Sequence, residues 1–156
     1  MNLVQTRVLV HSNHKEVRRF AKFATVGAAG AVTHVTLLNV LVQLAHLPST
    51  AANPIGFCAA VLQNFILNRR WTYPESQDRH AGGQLFQFAI VSLVGLGLNQ
   101  FIFLMALRRV EPFFIKWVGQ QHLGHLLGYN FAWAIAVAIV MVWNFGVNRL
   151  WTYRGI

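Results

Sequence analysis

Charged side chains are missing from three long stretches of this chain: none lies between Lys22 and Arg69, between Arg79 and Arg108, or between Lys116 and Arg149. Uncharged stretches of that length have a natural home in a bilayer, where about 20 apolar residues in a helix cross roughly 30 Å of hydrocarbon. Lipid offers no partner for a backbone amide, so such segments close their own hydrogen bonds as helices. Composition agrees, with 55% hydrophobic and 11% charged residues against about 25% charged in ordinary soluble domains. The sequence therefore predicts an all-α membrane protein with four transmembrane helices, near residues 23–45, 51–67, 85–107 and 126–147. The proline-bearing "HLPSTAANP" separates the first two, and the Gly- and Pro-containing "TYPESQDRHAGGQ" is a polar loop. The stretch "RRVEPFFIKWVGQQHLGH" reads as a connection lying at the water interface, because aromatic side chains alternate there with scattered charges.

A net charge of +9 and a pI near 11.2 suggest phosphate-rich partners in a soluble chain. Here the Lys and Arg residues flank apolar runs, as in cytoplasmic loops, so nucleic acid is not the expected partner and anionic membrane lipids are. Arg7, Lys15, Arg18, Arg19 and Lys22, then Arg69, Arg70 and Arg79, then Arg149 and Arg154 fall on one side; Arg108, Arg109 and Lys116 fall on the other. Ten against three places both termini in the cytoplasm. The first 20 residues lack a sustained apolar core with a small-residue cleavage site, so no removable signal peptide is expected. The single cysteine, Cys58, excludes an intrachain disulfide and reads as a small packing residue.

Two phrases match across eighty residues: "QNFILNRRWTY" and "WNFGVNRLWTY". The correspondence extends backwards, pairing Ala52, Gly56, Asn64, Asn68, Arg69, Trp71, Thr72 and Tyr73 with Ala132, Ala136, Asn144, Asn148, Arg149, Trp151, Thr152 and Tyr153. Upstream, "RRFAKFATVG" resembles "FQFAIVSLVG", with Phe20 and Gly27 set against Phe88 and Gly95. The organisation expected is a basic cytoplasmic arm, 1–17, before one transmembrane domain, 18–156, in which repeat one is 18–73 and repeat two is 86–153. Each repeat is a two-helix hairpin that starts and ends in the cytoplasm, so the repeats have parallel topology.

On a regular helix Asn64, Asn68 and Trp71 share a face, as do Asn144, Asn148 and Trp151. Small residues at Ala52, Gly56 and Ala60, and at Ala132 and Ala136, continue the two stripes and permit close helix contact. Arg69 and Arg149 end their spans at snorkelling depth, where a planar guanidinium matches phosphate. The tryptophans with Tyr73 and Tyr153 read as an interfacial aromatic belt. No acidic residue lies in a span, which excludes a proton relay built on intramembrane carboxylates, and His34 is the one titratable group well inside. His122 and His125 lack a third ligand, and no nucleophile motif or phosphate-cradling loop is present; neither an enzyme, a metal nor a cofactor is expected.

The combination of "RFAKFATVG", "NFILNRRWTY" and a second copy of both resembles the GtrA family of small four-span membrane proteins over about residues 18–154. That resemblance implies a flippase moving polyprenyl-phosphate-linked monosaccharides across the bacterial inner membrane for cell-surface polysaccharide glycosylation. It also admits a non-transporting scaffold that recruits or stabilises a glycosyltransferase. The resemblance matches Asn64, Asn68, Arg69, Asn144, Asn148 and Arg149 to the family's end-of-span motif, and with Trp71 and Trp151, whose rings suit a sugar face, these make the expected substrate-binding set. Expected partners are the sugar lipid, membrane lipids, glycosyltransferases of the same pathway and further copies of the chain, since four helices shield a sugar phosphate poorly. A cation exporter ranks last for want of a carboxylate in the spans. The chain departs from the family at "THVTLLN", where such proteins often carry an acidic residue.

Overall fold

A computed structural model describes residues 3–155, and the described residues are all-helical. Four α-helices follow in order: α1 Leu3–Gln43, α2 Ser49–Leu67, α3 Ala81–Val118 and α4 Gln121–Val147. A π-helical turn, Asn68–Thr72, and a 3₁₀ turn, Pro74–Asp78, follow α2, and a second π-helical turn, Asn148–Thr152, follows α4. Among the described residues three helices are long and apolar enough to cross a membrane: His14–Gln43 within α1, Ala81–Val118, and Gln121–Thr152. The fourth expected span, α2, is a helix of 19 residues with Pro54 inside it.

Two boundaries differ from the sequence reading. The arm 1–17 is not separate in backbone terms, since α1 begins at Leu3 and runs through it. Nor does α3 stop at Leu107; it continues through "RRVEPFFIKWV" to Val118, with Pro112 inside it, so the expected interfacial connection is helical and continuous with α3. Proline costs an interior helix one hydrogen bond, but packing holds this end in place. A Cβ on Gly124 would lie 2.4 Å from Ile115 Cα, and one on Gly128 2.6 Å from Glu111 Cα, so two glycines let α4 run directly against the backbone of α3. Gly119, at φ +72°, makes the tight reversal between these helices, in the left-handed region that glycine adopts freely.

The described residues divide into two compact units, 3–88 with 153–155 and Ala89–Thr152. In the first unit α1 packs on α2. Phe23, Val26 and Gly30 form the buried seam of α1, and Ala52, Gly56 and Ala60 that of α2. Polar groups on the contact are satisfied across it: Thr33 Oγ1 donates to Gln63 Oε1 at 2.7 Å, and His34 Nε2 meets Asn53 Oδ1 at 2.9 Å. A Cβ on Gly56 would lie 2.7 Å from the His34 ring, so His34 is a packed, hydrogen-bonded member of the helix contact.

In the second unit α4 buries every fourth residue along one line: Gly124, Gly128, Ala132, Ala136 and Val140. The same spacing governs α2, so the small-residue stripes expected from sequence are the buried faces of both helices. Phe103 packs edge-on to Tyr129 with ring centroids 5.2 Å apart, and Phe114 on Phe131 at 5.6 Å. Glu111 and His125 pair between the extended ends of the two helices.

Burial also resets the register of the repeat. Phe23, Val26 and Gly30 recur 65 residues later as Phe88, Val91 and Gly95, all buried. The equivalence of Phe20 with Phe88 and Gly27 with Gly95 is therefore three residues out; the aligned phrases are "KFATVGAAG" and "QFAIVSLVG". Gly27 has nothing within 4 Å of where its Cβ would stand, which places it off the contact.

Candidate functional site

Both copies of the arginine-bearing phrase end their helices by widening into a π-helical turn. In the first, Tyr73 N donates to Asn68 O at 2.7 Å, the bond between residues five apart that defines such a turn. A side-chain bond braces each turn internally: Thr72 Oγ1 donates to Asn68 Oδ1, and Thr152 Oγ1 to Asn148 Oδ1, both at 2.8 Å. Asn148 Nδ2 further donates to Asn144 O at 2.8 Å. These four side chains are at most 2% exposed. Asn68 and Asn148 thus face inward and shape the turn in this conformation.

The wider turn changes which residues share the buried face. A regular helix keeps Trp71 beside Asn64 and Asn68, whereas here Thr72 and then Tyr73 are buried and Trp71 is 46% exposed. In the second copy Trp151 is likewise exposed and Thr152 buried. Tyr73 and Tyr153 are fully buried, which corrects their reading as interfacial belt residues. Within the first unit their rings stack at 4.2 Å with an interplanar angle of 17°. Burial, with Tyr73 adding to it and Arg69 opposing, raises the Tyr153 pKa, so its hydroxyl stays protonated.

Arg69 is half-buried and held from three directions. Its Nη1 donates to Gln84 Oε1, and its Nη2 donates to the carbonyls of Gln77 at 2.9 Å and Arg79 at 2.7 Å. Lys22 lies over the Trp71 ring, 5.4 Å from its centroid, and donates to Trp71 O at 3.0 Å. In the second unit Asn144 lies in the last turn of α4, and Arg149 and Trp151 occupy the matching places in the π-helical turn that follows, with Arg149 half-buried.

Asn64 and Asn144 have a common environment within their respective hairpins. Each presses its amide against a glycine of the opposing helix, Asn64 on Gly30 and Asn144 on Gly95. Their Oδ1 atoms are buried without a conventional hydrogen-bond donor. A glycine Cα carries hydrogens that make weak Cα–H···O contacts at such close crossings, which accounts for the placement.

Sequence reasoning missed Arg19, Glu75 and Gln84. Arg19 is 4% exposed; its Nη1 meets Glu16 and its Nη2 meets Glu75, each at 3.0 Å, and its guanidinium lies 5.3 Å from the Tyr73 centroid. Lys15 reaches the same Glu75 oxygen at 3.1 Å. A hydrogen bond from its own backbone amide holds the Glu75 carboxyl below its ordinary range, against partial burial, with Lys15 and Arg19 adding to the effect. The signal available in sequence was position: Arg19 lies four residues before Phe23, and Gln84 four before Phe88, on the same helical face.

Among the described residues no group of three His, Cys, Asp or Glu side chains can hold a metal. Long apolar helices seamed by small residues and closed by duplicated, arginine-bearing turns are the build of a multi-pass helical membrane protein. The chain belongs to the GtrA/DPMS transmembrane domain family, whose model matches residues 22–153. That family is a non-catalytic membrane translocase family linked to lipid-linked sugar translocation for cell-surface glycosylation. No curated protein matches the chain.

Proposed function

We propose that this protein is a flippase for polyprenyl-phosphate-linked monosaccharides in the bacterial inner membrane. Both termini are cytoplasmic, and the two hairpins are parallel-topology repeats whose arginine turns lie on the cytoplasmic side. The observation that carries the reading is the duplicated turn itself: two guanidiniums, Arg69 and Arg149, each one residue after a buried asparagine in a braced π-helical turn. A guanidinium fork suits the phosphate of the sugar lipid. The exposed Trp71 and Trp151 offer faces for a hexose ring. Asn64, Asn68, Asn144 and Asn148 shape the turns and helix contacts and meet sugar hydroxyls when the hairpins part. With no carboxylate in the predicted spans, transport runs down a gradient maintained by glycosyltransferases that consume the lipid outside. A homo-oligomer completes the path.

One observation favours the runner-up, a non-transporting scaffold for a glycosyltransferase: Arg69 already donates to three acceptors of its own chain. Proteoliposomes loaded with a polyprenyl-phosphate hexose separate the two. Flipping by the wild type that falls about tenfold in the Arg69→Ala, Arg149→Ala double variant, and recovers in part with lysine at both positions, supports the flippase. Flipping no faster than in empty liposomes overturns it and leaves the scaffold.

A further inference from the structure

Gln84 stands in the first turn of α3, is 4% exposed, and makes only half of the contacts its amide allows. Its Oε1 accepts from Arg69 Nη1, while its Nε2 is buried with no acceptor. Turning the amide over does not help, because a guanidinium has only donors and Nε2 would then face one. Arg69, by contrast, is fixed independently of Gln84: the Gln77 and Arg79 carbonyls hold Nη2 at 2.9 and 2.7 Å. One edge of the guanidinium is anchored and the other rests on a neutral, half-satisfied amide.

The surroundings favour negative charge at that second edge. The first amides of an α-helix have no intrahelical acceptor, and the helix dipole is positive there. The turn reads "AGGQ"; a Cβ built on Gly83 meets nothing within 4 Å, while one on Gly82 would lie 3.1 Å from the His80 ring. A phosphate oxygen is a stronger acceptor for a guanidinium than an amide oxygen.

From this we infer that Gln84 is a built-in stand-in acceptor, holding Arg69 Nη1 in the empty protein and displaced from it by the oxyanion of a phosphate ester that binds at the start of α3. The inference rests on the flippase reading and adds to it an exchange residue. Arg69 stays in place through Nη2, while Gln84 turns away and gives no bond to the phosphate that replaces it. The empty site is kept from trapping other anions because Arg69 is never without an acceptor.

Two substitutions have opposite signs under this exchange. Gln84→Glu supplies a charged internal acceptor that phosphate cannot displace readily, whereas Gln84→Ala removes the competitor. Full-length protein in phosphatidylcholine nanodiscs is titrated with polyprenyl phosphate and, separately, with inorganic phosphate, following tryptophan fluorescence. Gln84→Glu is expected to weaken binding of the responding probe about tenfold and Gln84→Ala to tighten it about threefold. A response to polyprenyl phosphate alone identifies the lipid headgroup as the source; an equal response to inorganic phosphate identifies the free anion. Weakening by both variants, or no change in either, overturns the exchange even if the wild type still flips sugar lipids in proteoliposomes. Failure of the wild type to bind either probe also overturns it, and failure to flip as well removes the flippase reading with it.

Discussion

Gly30 and Asn64 approach so closely that a Cβ on the glycine would lie 2.3 Å from the asparagine Oδ1, and Gly95 and Asn144 repeat the relationship at 2.5 Å. The entire Asn64 amide is in the way, with Nδ2 and Cγ at 2.5 and 2.6 Å from that point. Gly30→Ala is therefore expected to destabilise the first hairpin by about 1–3 kcal/mol, the usual range for overpacking. Gly27→Ala, three residues away and facing open space, is neutral or stabilising by up to about 1 kcal/mol, since alanine is the better helix former. Thermal unfolding in detergent checks the pair. Equal effects at the two glycines contradict the register in which Gly30 matches Gly95.

That register shows how far the sequence could be read. The gaps in charge and the repeated "NRxWTY" phrase are long-range patterns, visible without coordinates, and they led to the helices, the small-residue stripes and the family. The N-terminal half of the repeat was weaker because Phe20 and Phe23 each open a Phe-Ala pair with a glycine seven residues on, as Phe88 does, and only burial separates Gly27 from Gly30. The facing of Trp71 was lost for a different reason. Sequence periodicity assumes 3.6 residues per turn, and the π-helical turn that brings Thr72 and Tyr73 inward is a backbone event with no periodic signature. Arg19 counted only as one more positive charge, because its burial depends on Glu75, 56 residues away.

Glu75, held by its own backbone amide first and by Lys15 and Arg19 in addition, carries a pH dependence whose sign is set. The folded Glu75 carboxyl lies below its ordinary value, so its contribution is fully present above that value and is lost as pH falls through the lower folded one. Because the Glu75 side chain is 45% exposed, the effect is small, about 1 kcal/mol or less. Hydrogen-exchange protection factors over residues 74–79 and the neighbouring part of α1, each referred to the intrinsic rate at the same pH, are expected to fall between pH 6 and pH 3. Glu75→Gln shows the lower protection already at pH 6, and a variant indistinguishable from wild type at both values removes the contact from consideration.

Tyr153 stacks on Tyr73 with both rings fully buried, so the tyrosine of the second phrase is a structural member of the first unit. Tyr153→Ala removes a buried ring and is expected to cost about 3 kcal/mol, in the range of large-to-small aromatic substitutions. Tyr153→Phe keeps the ring and the stack and is expected to retain most of the stability. Melting temperatures of the two variants in one detergent give the comparison, and an alanine variant as stable as the phenylalanine one would show that the stack contributes nothing.

The two π-helical turns make the strictest test of equivalence between the copies, because each rests on one hydroxyl. Thr72→Val and Thr152→Val keep shape and remove the donor, leaving Asn68 Oδ1 or Asn148 Oδ1 buried without its threonine partner. An unsatisfied buried acceptor costs about 1–3 kcal/mol. Part of that is recovered if the turn tightens to a regular helix, which would rotate Trp71 or Trp151 toward the buried face. Each valine variant is therefore expected to lower the melting temperature and to shift the emission of its own tryptophan to the blue, measured with the other four tryptophans replaced by phenylalanine. Thr→Ser at either position retains the hydroxyl and should leave the emission unchanged. A lowered melting temperature without the spectral shift would mean that the wide turn is held by its backbone bond between Asn68 and Tyr73 and not by the threonine.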